Sequence, residues 1–207
     1  MSLDTYANLQ TEIAGFLNRD DLTSAIPTFI DLAEAQMSRD IRHWRMQERA
    51  TITIDAQYED RPTDWIETIR FVLTGNGTSA LDLLAQNAMA DFRSGSADTA
   101  GTPRYYTHTQ SQFEFYPTPD ETYIGDLLYY QQIPALSDSN TTNWLLTNAP
   151  DVYLYGALLH TAPYLQEDAR VTVWAQLYSA AVARLNAESD AAAVSGSGLR
   201  MKIRGLG

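Results

Sequence analysis

Residues 26–54 read IPTFIDLAEAQMSRDIRHWRMQERATITI, and the hydrophobic period changes inside that stretch. Ile26, Ile30, Ala33, Met37, Ile41 and Trp44 fall three or four apart, the spacing of one helical face. Pro27 stands in the first turn, where its missing N–H costs nothing. Ile52 and Ile54 instead alternate with threonine, the period of a strand buried on one side. A helix that hands over to strands within a few residues predicts an α+β chain.

Toward the N-terminus, Asp4-Thr5 reads as a cap, and Leu9, Ile13, Phe16 and Leu17 give a helix that breaks at Asn18-Arg19-Asp20-Asp21. Toward the C-terminus, Arg61-Pro62-Thr63-Asp64 separates the first strand from Ile69, Phe71 and Leu73, which again alternate. Gly75-Asn76-Gly77 is a turn signal, and Leu81 to Phe92 reads as a short helix ending at Ser94-Gly95. Residues 94–103 are small and polar. Arg104–His108, Gln112–Tyr116 and Tyr123–Gln132 then read as an antiparallel meander rich in tyrosine and phenylalanine. Such rings suit packing; a base-stacking platform would need basic neighbours, and only Arg104 is near. Between Ala135 and Ala149 a polar crossing is interrupted by Trp144-Leu145-Leu146, the expected anchor of that loop. Pro150-Asp151 opens a helix apolar around much of its girth, which Pro163 should kink or end. A last helix runs from about Asp168 toward Glu188 on Val171, Trp174, Leu177, Tyr178, Ala181 and Leu185.

The expected elements are therefore helices at about 5–18, 25–45, 150–165 and 168–190, with an antiparallel β region at about 48–133 between the second and third. Residues 1–194 are read as one domain. Ser195-Gly196-Ser197-Gly198 is a linker to a C-terminal arm, 195–207, in which Leu199, Met201 and Ile203 alternate with Arg200, Lys202 and Arg204.

Composition narrows the function. The chain has 207 residues, 44% hydrophobic and 19% charged, enough for a packed core. It has no cysteine, which removes thiol catalysis, thiolate metal sites and disulfides. No apolar run approaches the ~20 residues of a membrane span, and the first residues lack a leader pattern, so a chain that stays soluble is expected. The net charge of -12 disfavours non-specific contact with nucleic acid or an anionic membrane. Of fourteen basic residues only Lys202 is lysine; arginine suits paired contacts at interfaces, and a GC-rich coding sequence gives the same bias.

Catalytic motifs are missing. The glycines sit in turns, not in a phosphate loop, a dinucleotide fingerprint or a nucleophile elbow. His43, His108 and His160 have no acid or histidine at ligand spacing, so no metal or other cofactor is expected. Asp20-Asp21, Glu59-Asp60 and Asp120-Glu121 fall in predicted turns, where carboxylates cap backbone more often than they form a hydrolytic pair. Asn140-Thr141-Thr142 matches a glycosylation sequon, and since the first residues show no leader pattern no modification there is expected.

A set of strings resembles the head-to-tail adaptor (connector) proteins of tailed bacteriophages over nearly the whole chain. They are Tyr6-Ala7-Asn8-Leu9 with Phe16-Leu17-Asn18-Arg19, and Ile26-Pro27-Thr28-Phe29-Ile30 with Ala33-Glu34-Ala35. Further on come Gly101-Thr102-Pro103-Arg104-Tyr105-Tyr106, Pro117-Thr118-Pro119, Ile133-Pro134-Ala135-Leu136-Ser137-Asp138 with Asn143-Trp144-Leu145-Leu146, and Pro150-Asp151-Val152-Tyr153-Leu154-Tyr155-Gly156-Ala157-Leu158. The chain departs from the family pattern at Arg61-Pro62, where an apolar residue more often precedes the proline. The resemblance implies an α+β fold, a helical bundle from the N- and C-terminal helices with an inserted antiparallel β region, and a non-enzymatic virion protein at the head-tail junction, a ring of twelve copies under the portal. Its expected partners are the portal, a tail or nozzle protein and other copies of itself, with DNA passing through unbound and no membrane. The arm, Leu199, Arg200, Met201, Lys202, Ile203 and Arg204, is the expected portal contact. The competing readings are a tail terminator or head-completion protein of different symmetry, and an unrecognised hydrolase.

Overall fold

The computed structural model describes residues 3–75, 79–95, 99–165 and 169–195. They form two compact units, one from residues 1–45 and 133–207, the other from residues 46–132.

The first unit is helical. Helix α1 (Tyr6–Leu17) starts where Thr5 Oγ1 accepts the N–H of Asn8 and ends at Asn18, whose φ of 50° lies in the left-handed region that asparagine tolerates. Helix α2 (Ile26–Asp40) buries Ile26, Phe29, Ile30, Ala33 and Met37. Helix α4 (Trp144–Asn148) and α5 (Pro150–Leu159) follow the polar crossing, and α6 (Arg170–Val194) closes the unit. Six of the ten residues of α5 are buried, and α5 packs against α1, α2, α4 and α6, so it is the central element. Gly156 permits this: a Cβ there would meet Met37 Cε at 3.0 Å, Tyr178 Cε2 at 3.2 Å and Ala33 Cβ at 3.4 Å. Pro163 stands after the end of α5, in a 3-10 turn at Ala162–Tyr164.

The stripe expected to run to Trp44 stops earlier. Helix α2 ends at Asp40 and the chain leaves in extended geometry at Ile41. Side chains of α6 hold that exit: Asn186 Oδ1 accepts the Arg42 N–H at 3.1 Å, Asn186 Nδ2 donates to Asp40 O at 3.0 Å, and Ser189 Oγ accepts the Trp44 N–H at 2.9 Å. Partners some 145 residues away thus end the helix, and Trp44 is exposed.

The second unit has two four-stranded sheets. Strands β1 (Gln47–Ile54), β8 (Tyr123–Gln131), β3 (Trp65–Thr74) and β4 (Ser79–Ala80) form one in that spatial order. Strands β2 (Tyr58–Asp60), β7 (Gln112–Tyr116), β6 (Tyr105–His108) and β5 (Asp82–Leu83) form the other, with α3 (Gln86–Gly95) after β5. Ile52, Ile54, Phe71, Leu73, Leu127 and Tyr129 from the first sheet share a core with Tyr106, Phe113 and Phe115 from the second. Phe71 is its hub, with ring centroids 5.3 Å from Tyr106 and Phe113 and 5.7 Å from Phe115. Gly125 on β8 makes room for it; a Cβ there would lie 2.6 Å from Phe71 Cε2.

These sheets correct the expected fold class. The protein is a mixed α/β chain in which strands build two full sheets and, among the described residues, there are six α-helices; it is not a helical bundle carrying an inserted antiparallel β region. One helix, α3, belongs to the β unit, and β5 pairs with β6 in parallel. The expected meander is also rearranged: β8 leaves β7 and lies between β1 and β3. Leu81–Phe92, read as a helix, begins with strand β5, and α3 starts only at Gln86, because Leu81 N–H donates to Phe71 O and Leu84 N–H to Tyr106 O. The alternation of Ile69 with Phe71 breaks at a register shift between Thr68 and Arg70, which turns Ile69 to solvent. Such pairings are made far along the chain, where local periodicity carries no information.

Candidate functional site

The polar crossing at 133–143 is the part of the helical unit that packing alone would leave undefined, and a small hydrogen-bond network defines it. Glu34 lies on the buried side of α2, between Ile30 and Met37 in helical spacing, and is half-buried. Its Oε1 accepts the Leu136 N–H at 2.8 Å and the Tyr153 O–H at 3.0 Å. Asn143 Nδ2 donates to Tyr153 Oη at 2.6 Å and to Pro134 O at 2.7 Å, while Asn143 Oδ1 caps α4 by accepting the Leu146 N–H at 2.9 Å. At the far end Tyr6 N–H donates to Thr141 O at 2.7 Å, which ties the crossing to α1.

Electrostatics follow from this burial. Desolvation raises the Glu34 pKa, against the two donated hydrogen bonds that favour the carboxylate. Burial, then the neighbouring Glu34, pushes the Tyr153 hydroxyl far above its ordinary range, so it remains a donor at every physiological pH. Of the residues in the network, Tyr6, Glu34, Pro134, Leu136, Asn143 and Tyr153 come from five of the strings that carry the adaptor resemblance, and Thr141 lies between two of them.

Of the expected loop anchor, Leu145 and Leu146 are fully buried and Trp144 is half-buried. The Trp144 ring stacks on His43, centroids 5.2 Å apart at 20°. His43 is itself 1% exposed; its Nδ1 accepts the Arg45 N–H at 3.2 Å, which makes Nε2 the protonated nitrogen, and that atom is buried with no partner among the described residues. Burial lowers its pKa, Glu188 opposes and Arg45 assists. His160 Nε2 is likewise buried and unpartnered, whereas His108 lies exposed against Trp65.

Of the acidic pairs expected in turns, only Asp120-Glu121 stands in one; Glu59-Asp60 belongs to β2 and Asp20-Asp21 opens a 3-10 helix at Asp20–Ala25, and members of each pair hold nearby backbone or side chains. Asp21 pairs with Arg19, Glu59 Oε1 accepts the N–H groups of Asp55 and Ala56, Asp60 accepts from Gln112, and Asp120 accepts the Tyr123 O–H at 2.7 Å. Among the described residues no group of three or more histidines and carboxylates is placed to hold a metal ion. No described helix is long and apolar enough to cross a membrane. The departure at Arg61 has its own packing: the guanidinium lies 4.3 Å over the Trp65 ring. The arm residues Leu199, Arg200, Met201, Lys202, Ile203 and Arg204 lie outside the described residues.

Sequence reasoning missed Glu34, Asn143 and Tyr153 as a unit, and Asn186 and Ser189 as the clamp on the exit of α2. Glu34 left one signal, a carboxylate on the apolar stripe between Ile30 and Met37, where a lone charge needs a partner.

None of the curated proteins compared matches the chain. The family model described as SU10 adaptor protein matches residues 4–201, nearly the full length and every string that meets at the Glu34–Asn143 network. The chain therefore belongs to the SU10 adaptor protein family, in agreement with its resemblance to phage head-to-tail adaptors.

Proposed function

We propose that this phage adaptor protein is a subunit of a ring, twelve copies in number, that joins the capsid portal to the tail and forms part of the conduit for DNA. The observation that carries this reading is the family match across both units, from residue 4 to residue 201. The Glu34–Asn143 network supports it physically. It fixes a long polar crossing in one conformation, as a docking scaffold requires.

A ring contact is heterologous, so each copy offers two different patches. Exposed apolar side chains occur on both units, with Phe16, Leu32, Tyr164, Val173 and Leu177 on the helical one and Tyr58, Ile69, Leu83, Phe92 and Ile124 on the β one. The net charge of -12 suits a channel wall to which passing DNA does not adhere. Self-repulsion among acidic copies favours assembly on the portal over free rings.

Omitting the chain from phage assembly tests the proposal. DNA-filled heads that lack tails are the expected product. Complete, infectious particles assembled without it would overturn the reading.

A further inference from the structure

Strand β1 ends its sheet on one side. It pairs with β8 from Gln47↔Tyr130 to Ile54↔Tyr123, and no described strand pairs with its other edge. In an antiparallel pair every second residue turns its N–H and C=O away from the partner. Arg49 shows which set does so here, because its N–H reaches the side-chain Oε1 of Glu48 at 3.2 Å. The backbone groups of Thr51 and Thr53 follow in the same phase. Gln47, Arg49, Thr51 and Thr53 are all exposed. An open edge of eight residues is unusual, since proteins cover, shorten or charge such edges to avoid unwanted pairing.

We propose that the free edge of β1 receives residues 199–204 of a second copy of this chain as an added strand. The inference rests on the ring reading, which places copies side by side, and it gives the arm, assigned from sequence to the portal, a receiver on the neighbouring subunit. Three features of the chain select this occupant. Residues 199–204 alternate apolar and basic with period two, as a strand on a sheet edge does, and span about 20 Å, most of the edge. Residues 196–207 hold three of the fourteen basic residues and no acidic one, in a chain of net charge -12, so the arm is drawn to the body of another copy. Glu48, which now caps the edge, is freed by an incoming strand to pair with Arg200 or Lys202. Arm on one copy and edge on the next is a heterologous contact, the kind that closes rings.

The absence of cysteine makes the test clean. Thr51→Cys is combined in turn with Arg200→Cys, Met201→Cys and Lys202→Cys, and the assembled ring is oxidised. Neighbouring strands lie within disulfide reach, so one pairing should give a covalent ladder of copies. Amide exchange at Thr51 and Thr53 should slow on assembly by about tenfold or more. Thr53→Pro removes only an outward donor, a substitution an edge strand tolerates, and should abolish both effects while the subunit stays folded. A ring that forms with no ladder and unchanged exchange, closure within a single chain, or links from the arm to the portal would each overturn this proposal alone. Absence of any ring from the unmodified protein would overturn the ring reading with it.

Discussion

The two units are held together by different physics. In the helical unit, α5 is close to its neighbours through Gly156, and the crossing beside it is fixed by directional bonds among Glu34, Tyr153 and Asn143. In the β unit the core is a cluster of rings around Phe71, with Gly125 leaving the space it fills. Volume decides the second; in the first, hydrogen-bond satisfaction decides the crossing beside a packed α5. Substitutions should therefore cost by size in the β core and by orphaned donors at the crossing.

The sharpest way to break that contrast is Phe71→Ala. It should destabilise the β unit by about 3–5 kcal/mol, the cost of removing a fully buried ring. Denaturant unfolding followed by tryptophan emission checks it, since Trp65 belongs to the β unit and Trp44, Trp144 and Trp174 to the helical one. Glu34→Ala comes next, at about 1–3 kcal/mol in the helical unit, because the Leu136 N–H and the Tyr153 O–H lose their acceptor. Glu34→Gln keeps an acceptor of the same shape and should cost clearly less. Equal losses for Ala and Gln would mean that charge, not acceptance, matters there. Gly125→Ala should cost roughly 1–3 kcal/mol, because the new methyl group meets the Phe71 ring and Ile54.

The smallest effect expected is a pH dependence at His43. Its folded pKa lies below the ordinary histidine value, first because burial disfavours imidazolium. The unfolded chain therefore takes up the proton first, so the contribution of neutral His43 is complete above about pH 6.5 and fades as pH falls through the lowered value. Protonation also ends the bond in which Nδ1 accepts the Arg45 N–H. Unfolding midpoints of the helical unit at pH 7 and pH 5 should differ less in His43→Gln than in the unmodified chain. An identical pH response in both would remove His43 from the account.

The same contrast explains what could be read from the sequence. The stripe of α2 was legible as far as Ile41, because helical burial is a local pattern and Ile30, Ala33 and Met37 carry it. Ile52 and Ile54 marked β1 for the same reason. Strand order was not legible: Gln47 finds Tyr130 across most of the β unit, and β8 could be placed between β1 and β3 only by pairings that no local window contains. The end of α2 was hidden because Asn186 and Ser189, far along the chain, supply its caps. Within the site, the family strings pointed to the crossing as a whole. Which side chains fixed it depended on Tyr153 and Asn143 meeting Glu34, and the one local sign was a carboxylate on an apolar face.

The measurement that bears most directly on the central claim is native mass determination of the purified protein, alone and then mixed with its portal. The account predicts single copies in isolation and a ring of twelve bound to the portal. A stable hexamer that ignores the portal would contradict it and move the protein to a tail terminator or another part of the virion.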